Sequence, residues 1–199
     1  MLDERLALAA SLYEPCEWGA DIGTDHAYLP CHLLLSGVCR HMIAADVSPG
    51  ALRHARENLT HSALLGRTDI VLADGLDAIT RPCGCISIMG MGGENMAEIL
   101  SKGQNRLQGA VLVLSAHTDL PLVRRCLSQI GYAIVQEAEG ADVVIMNTCA
   151  IREHAEQRVF GNLGALTHTK RRHPRQKIFL CGCMAGETKV SDRIKKSYP

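Results

Sequence analysis

The chain has 199 residues, 47% of them apolar and 4% aromatic, and its 21 Lys and Arg balance 21 Asp and Glu. That length holds one good core, or one core with a small appendage. No apolar run reaches the roughly 20 residues needed to cross a bilayer, and residues 1–13 (MLDERLALAASLY) open with acids where a signal peptide carries basic residues, so the expectation is a cytoplasmic protein with no membrane partner.

The elements begin with an amphipathic helix carrying Leu2, Leu6, Ala9 and Ala10. Short apolar runs then alternate with helical patterns: GADIG before AYLPCHLLLSG, HMIAADV before SPGALRHARENLTHSALLG, and TDIVLAD before GLDAI. CISIMGMGG leads into ENMAEILSKG, and GAVLVLSA into LPLVRRCLSQIGY. Continuous apolar strands alternating with helices predict an α/β fold, a mostly parallel sheet covered on both faces in Rossmann-like fashion. Ser48 before Pro49 suits a helix N-cap followed by proline in the first turn, and Asp119 stands similarly ahead of Pro121. Beyond Ala141 the pattern continues with the strand DVVIMN, a helical stretch at 152–168, the strand KIFLCGC and a short helix near Ser191. DVVIMN is placed to extend the main sheet.

The neutral total hides a split. Residues 1–140 carry 10 Lys and Arg against 16 Asp and Glu, whereas residues 141–199 carry 11 against 5. Such asymmetry marks a composite chain or a basic appendage for an anionic partner, although the run Lys170, Arg171, Arg172, Arg175 and Lys177 reads equally well as a solvated helix end. The nine cysteines are odd in number and irregularly spaced, which points to free thiols or metal ligands rather than a secreted disulfide framework. Those around the CGC at 83–85 read as core or edge thiols.

In an open parallel sheet, ligands sit outside the carboxyl ends of the strands. Asp21 and Gly23 close the first strand, Asp46 the second, Asp74 with Gly75 the third, and Gly90, Met91, Gly92 and Gly93 the fourth. Asp46 is placed to accept bonds from both hydroxyls of a ribose, and Asp74 to take an adenine amino group. Gly23 lets the backbone approach a ligand. The loop lacks the glycines of the dinucleotide fingerprint, and Asp25 within it would repel a pyrophosphate. A cofactor without phosphates fits better, which favours S-adenosylmethionine over NAD.

DIGTDHAYLP, AADVSPGAL, ADGLDAI and IMGMGGENMAEIL, in that order and spacing, resemble the bacterial tRNA adenine N1-methyltransferases of the TrmK family, which methylate adenine 22. LDERLALAASL and LVLSAHTDLPLVRRCLSQIGY are similar to that family too, so the likeness runs from about Leu2 to about Tyr132. It implies a class I methyltransferase fold, S-adenosylmethionine as donor and tRNA as acceptor. On this reading Asp25 and His26 face the cofactor's methionyl end and the incoming base, with Tyr28 nearby for stacking or a hydrogen bond, and the GMGG turn stands against the target base. The alternative is that His26 caps the first helix of the fold and Tyr28 packs in the core. The family continues past this point with further strands and a helical extension that helps hold tRNA, which this chain replaces.

Residues 140–166 (GADVVIMNTCAIREHAEQRVFGNLGAL), with KIFLCGCMAGE and DRIKKSYP, resemble the N-terminal domain of MiaB-type tRNA methylthiotransferases. In that family three cysteines of this domain hold an auxiliary 4Fe–4S cluster. Cys149 and Cys183 match the second and third; the first is absent, as is the radical-cluster motif. Two thiolates do not hold such a cluster. Cys181 would add a third only if the local turn placed it inward. The expectation is an incomplete site, unmetallated unless another subunit completes it. The domains expected are therefore 1–135, a methyltransferase, and 136–199, a partial methylthiotransferase-like module, joined near LSQIGYAIVQEAEGADVV. A fragment of a methylthiotransferase and a non-catalytic tRNA-binding protein are the competing readings.

Overall fold

The structure, a computed structural model, describes residue 2, residues 4–107 and 109–133, and the backbone of two later strands, 143–148 and 177–182. The chain divides into two compact units, Met1–Ile134 and Val135–Pro199.

In the first unit the helices are α1 (Glu4–Leu12), α2 (Tyr28–Leu35), α3 (Pro49–His61), α4 (Gly93–Lys102) and α5 (Leu120–Gln129). They alternate with β1 (Cys16–Ile22), β2 (Cys39–Asp46), β3 (Thr68–Leu72), β4 (Cys85–Met91) and β5 (Val111–Ala116). The sheet order is β3-β2-β1-β4-β5, and every neighbouring pair is parallel. The order reverses between β1 and β4, so the switch point that receives ligands in such sheets lies where these strands end.

Alternation along the strands sorts the core onto two faces. Ala20 and Ile22, Ile43 and Ala45, and Ile86 and Ile88 bury against Met96, Leu100, Val123 and Cys126 of α4 and α5. Met42, Ala44, Cys85 and Ser87 alternate with them, fully buried, and α1, α2 and α3 supply Ala9, Leu29, Leu33, Leu52 and Leu59 to the buried set. Burying a leucine or isoleucine of this kind contributes about 2 kcal/mol, so these faces fix the strand ends that carry the site.

Ser48 caps α3 as its sequence suggests, its Oγ accepting from the Ala51 amide at 3.3 Å, with Pro49 opening the helix. Asp119 differs. It occupies the N-cap of α5 in a left-handed conformation, φ 52°, and its side chain makes no capping bond. The extended backbone that directs a cap oxygen at the first helical amides is missing there.

In the second unit, β6 (Val143–Thr148) and β7 (Lys177–Gly182) form their own parallel two-stranded sheet. The expectation that DVVIMN extends the main sheet is corrected by this pairing: the register sets the apolar run Val144, Ile145, Met146 beside Ile178, Phe179, Leu180. Cys181 lies opposite Asn147 in that register. The helical patterns expected at 152–168 and near Ser191, and Cys149 and Cys183, fall outside the described residues.

Candidate active site

The β1–α2 connection is the most constrained loop of the first unit. Gly23, Asp25 and Ala27 have φ of 76°, 50° and 56°, and each non-glycine residue in that region costs on the order of 1 kcal/mol. Its hydrogen bonds hold it there. The amides of Gly23 and Thr24 both donate to the Ala45 carbonyl at 2.9 Å, the Ala27 amide donates to the Thr24 carbonyl at 2.9 Å, and Asn58 Nδ2 donates to the His26 carbonyl at 2.9 Å.

Asp46, the last residue of β2, ties this loop to its own turn. Its Oδ2 accepts from the Asp25 amide at 3.2 Å and its Oδ1 from the Ser48 amide at 2.9 Å. A carboxylate offers about four acceptor positions, so one on each oxygen is left for the hydroxyls of a ligand. Val47 and Leu72 stand exposed at the ends of β2 and β3, apolar surface on either side of this acceptor.

Asp21 sits beneath the loop, buried, and both its oxygens are engaged within the protein. Ser87 Oγ donates to Oδ1 at 2.5 Å and Thr24 Oγ1 to Oδ2 at 2.9 Å. The Tyr13 hydroxyl completes the network, donating to the Ala20 carbonyl at 2.7 Å and lying 2.6 Å from Ser87 Oγ. Burial pushes the Asp21 carboxyl above its ordinary range against the bonds from Ser87 and Thr24, and burial with the nearby Asp21 charge pushes the Tyr13 hydroxyl well up. Asp21 therefore shapes the loop from below, while Asp25 and Asp46 border the open side.

Asp25 is exposed, with its Oδ1 3.6 Å from His26 Nε2. The His26 ring stacks with Tyr28, at 5.3 Å and 12°, and with His54 of α3, at 4.8 Å and 26°. The alternative for these two residues does not hold: the N-cap of α2 is Ala27, no side chain caps it, and Tyr28 is 54% exposed. Three stacked rings with an open tyrosine face give a platform for a further flat group.

At the other strand ends, Asp74 is exposed and precedes a short 3-10 turn (Gly75–Ala78); Gly75 has φ 54°. β4 bulges against β5 between Met89 and Met91, where Gly90 takes φ 77°. Gly92 is the N-cap of α4, and Gly93 begins it so close to the β5–α5 loop that a Cβ would lie 2.4 Å from the Thr118 carbonyl. A Cβ on Gly23 would meet the Met91 methyl at 3.2 Å, so the ends of β1 and β4 approach at the switch point through the missing side chain.

Sequence reasoning passed over three participants. His54 and Ser87 stand 28 and 66 positions from the partners named above, His26 and Asp21, and no local pattern marks them. Arg5 of α1 brings its guanidinium to 3.8 Å from where a Gly90 Cβ would stand. It brings a cation to the end of β4, and a lone arginine on an amphipathic helix gives no signal for that.

Residues 2–143 match the family model described as "Methyltransferase domain", and residues 115–199 match "Uncharacterized protein family UPF0004". The Bacillus subtilis M1A22 tRNA methyltransferase TrmK is similar, with 30% identity and a TM-score of 0.65 over 68% of this chain and 59% of that one. A Streptococcus pneumoniae protein in complex with S-adenosyl-L-methionine is 34% identical with a TM-score of 0.64, over 68% of this chain and 64% of that one. The tRNA-2-methylthio-N(6)-dimethylallyladenosine synthase of Staphylococcus haemolyticus is 42% identical over 85 residues, 43% of this chain but 16% of the synthase. The chain thus spans about three fifths of those solved chains and a small part of the synthase.

Proposed function

The chain belongs to the methyltransferase domain family over residues 2–143, and from that premise we propose that it transfers a methyl group from S-adenosylmethionine to N1 of adenine 22 in tRNA. The observation that carries this reading is Asp46, held between two loops by backbone amides with acceptor capacity left on both oxygens. The residues fit the cofactor. Asp46 takes the ribose hydroxyls, Asp74 the adenine amino group, and Val47 and Leu72 the faces of the base. Gly23 leaves a cradle that a Cβ would fill. The acids that suit a nucleoside and an ammonium group would repel a pyrophosphate, and Arg5 supplies the cation for the methionyl carboxylate. Gly75 and the Gly90, Met91, Gly92, Gly93 turn complete the walls.

Bound S-adenosylmethionine supplies an electrophilic methyl group on a sulfonium. The chain's own task is placement, because N1 of neutral adenine already carries a lone pair and no proton need be removed first. Tyr28, backed by His26 and His54, stacks the base in line with the cofactor site. The Asp25 carboxylate stabilises the positive charge that methylation leaves on the adenine. Asp21 acts through the loop it supports.

Residues 1–135 form the methyltransferase domain on this reading and residues 136–199 a partial module similar to the N-terminal part of the methylthiotransferases. Support for the second assignment is the UPF0004 match and the synthase likeness. With Cys149 and Cys183 as its two family-matched cysteines, that module lacks a cluster of its own, and the basic run Lys170–Lys177 contributes salt-dependent affinity for tRNA.

The test is methyl transfer from labelled S-adenosylmethionine to two tRNA transcripts that differ only in adenine or guanine at position 22. Incorporation confined to the adenine transcript, recovered as 1-methyladenosine, is expected. Equal labelling of both, or none under conditions where the cofactor binds saturably, overturns the assignment.

A further inference from the structure

At the amino-terminal edge of the sheet, opposite the site, β1 opens with Cys16 and β2 with Cys39, and the two are direct register partners in the parallel pair. Their Sγ atoms are 3.5 Å apart. Adjacent strands run about 4.8 Å apart, inside the Cα separations of roughly 4.4–6.8 Å that disulfides span. Two glycines make the room: a Cβ on Gly84 would stand 2.7 Å from the Cys16 Cβ, and one on Gly19 would stand 2.9 Å from the Cys39 Sγ. Cys16 is half-buried and reachable, Cys39 buried.

We propose that Cys16 and Cys39 are a modification site, a dithiol that small-molecule disulfides oxidise to a bridge between the starts of β1 and β2. The division of labour follows from the pair's own hydrogen bond. Either sulfur can donate in the neutral pair; Cys16 is the more accessible of the two, and once it ionises the Cys39 thiol donates to it, which lowers the Cys16 thiol below its ordinary range and raises that of Cys39. Cys16 is the attacking thiolate. It bonds to one sulfur of the oxidant and expels the other as a thiolate, giving a mixed disulfide. Cys39 then loses its proton and attacks the Cys16 sulfur, expelling the second thiol of the oxidant. Two electrons pass from the pair to the oxidant, and the two protons end on the released thiols. The bridge clamps the β1–β2 register at the edge away from the site, so it raises stability and leaves the ligand edge open, whatever ligand that edge takes.

The test treats the purified chain with oxidised glutathione, alkylates the remaining thiols, and digests with a protease that cuts after glutamate, since Glu17 separates the two cysteines. Mass analysis of the peptides is paired with thermal melting of wild type and Cys16→Ser before and after oxidation. Expected are linked Cys16 and Cys39 peptides, with Cys31, Cys83 and Cys85 alkylated. Oxidation raises the wild-type midpoint by several degrees, and a reductant reverses the shift; Cys16→Ser shows neither. Recovery of Cys16 and Cys39 both alkylated, Cys16 carrying glutathione alone, or Cys39 bridged to a different cysteine overturns the proposal. Cys16→Ser is chosen because the half-buried position tolerates the change, and an unshifted reduced midpoint confirms that it folds.

Discussion

At the carboxyl ends of β1 to β3 the chain places Asp21, Asp46 and Asp74, with glycines and two non-glycine residues at positive φ in the turns around them. At the amino ends of β1, β2 and β4 it places Cys16, Cys39 and Cys85, and burial pushes the Cys85 thiol up to about 12. One edge is acidic and strained; the other is packed, and its charges pair with one another, Glu17 with Arg40 at 3.6 Å and Asp69 with Arg81 at 3.0 Å. The middles of the strands that join them are mainly apolar, with Ser87 of β4 a buried polar exception. The sheet divides its work: strain is tolerated at the site edge because the loop's amides are held by the Ala45 carbonyl and the Asp46 carboxylate, while the buried middle and the thiol edge supply the stability that holds those anchors still.

Removing charge from the site edge while keeping the fold separates the roles of the two edges. Asp25→Asn keeps a residue that tolerates φ 50°, and it is expected to lower methyl transfer about 100-fold by the loss of electrostatic stabilisation, with cofactor affinity little changed. Single-turnover rates against calorimetric affinities check the split. Asp25→Ala adds backbone strain and confounds it.

Next in size is Gly23→Ala. The φ of 76° and the Met91 methyl at 3.2 Å both oppose a side chain, so a loss of about 1–2 kcal/mol of stability is expected, with a larger fractional loss of cofactor affinity; urea denaturation measures the first. At the supporting network, Tyr13→Phe removes a hydroxyl that donates to the Ala20 carbonyl and borders Ser87. It should cost about 1 kcal/mol, the usual net worth of one buried hydrogen bond, since Ser87 Oγ still reaches the Ala20 carbonyl at 3.2 Å.

A subtler difference lies in pH. The Asp21 carboxyl is raised in the folded chain by burial, so the folded state holds this proton more tightly than the unfolded state does. Its contribution to stability is present below the ordinary carboxylate range and is lost as pH rises through the raised folded value. Wild type should therefore lose stability relative to Asp21→Asn across that interval, and denaturation midpoints collected from pH 4 to pH 7 read the sign. The smallest stability effect belongs to Tyr28→Ala. Its exposed ring makes the change worth within about 0.5 kcal/mol, yet methyl transfer should fall.

Much of this architecture was legible in the residues themselves. The five continuous apolar runs carry their strand assignments because no other packing buries both sides, and Ser48–Pro49 announces the start of α3 by chemistry local to two residues. The rim acids were legible for the same reason, since strand ends position them. What stayed hidden depends on register and crossing. Ser87 reaches Asp21 because β4 lies beside β1, Cys16 meets Cys39 because β1 and β2 pair without offset, and Arg5 reaches Gly90 from another layer. Ala27 at the left-handed N-cap of α2 has no sequence signature at all, since alanine brings neither a capping oxygen nor glycine's freedom. DVVIMN read as a strand correctly but could pair with any parallel edge, and its partner proved to be β7.

In the proposed nucleoside site at the carboxyl edge, Asp46 reads the ribose. Calorimetric titration of S-adenosylhomocysteine into the wild-type chain and into Asp46→Ala, with thermal melting to confirm that both fold, tests it most directly. Saturable one-site binding by the wild type, weakened by roughly 100-fold in the variant through the loss of two charge-assisted hydrogen bonds, is the predicted result. Absence of binding by a folded wild-type chain, or equal affinity in the two proteins, would contradict it.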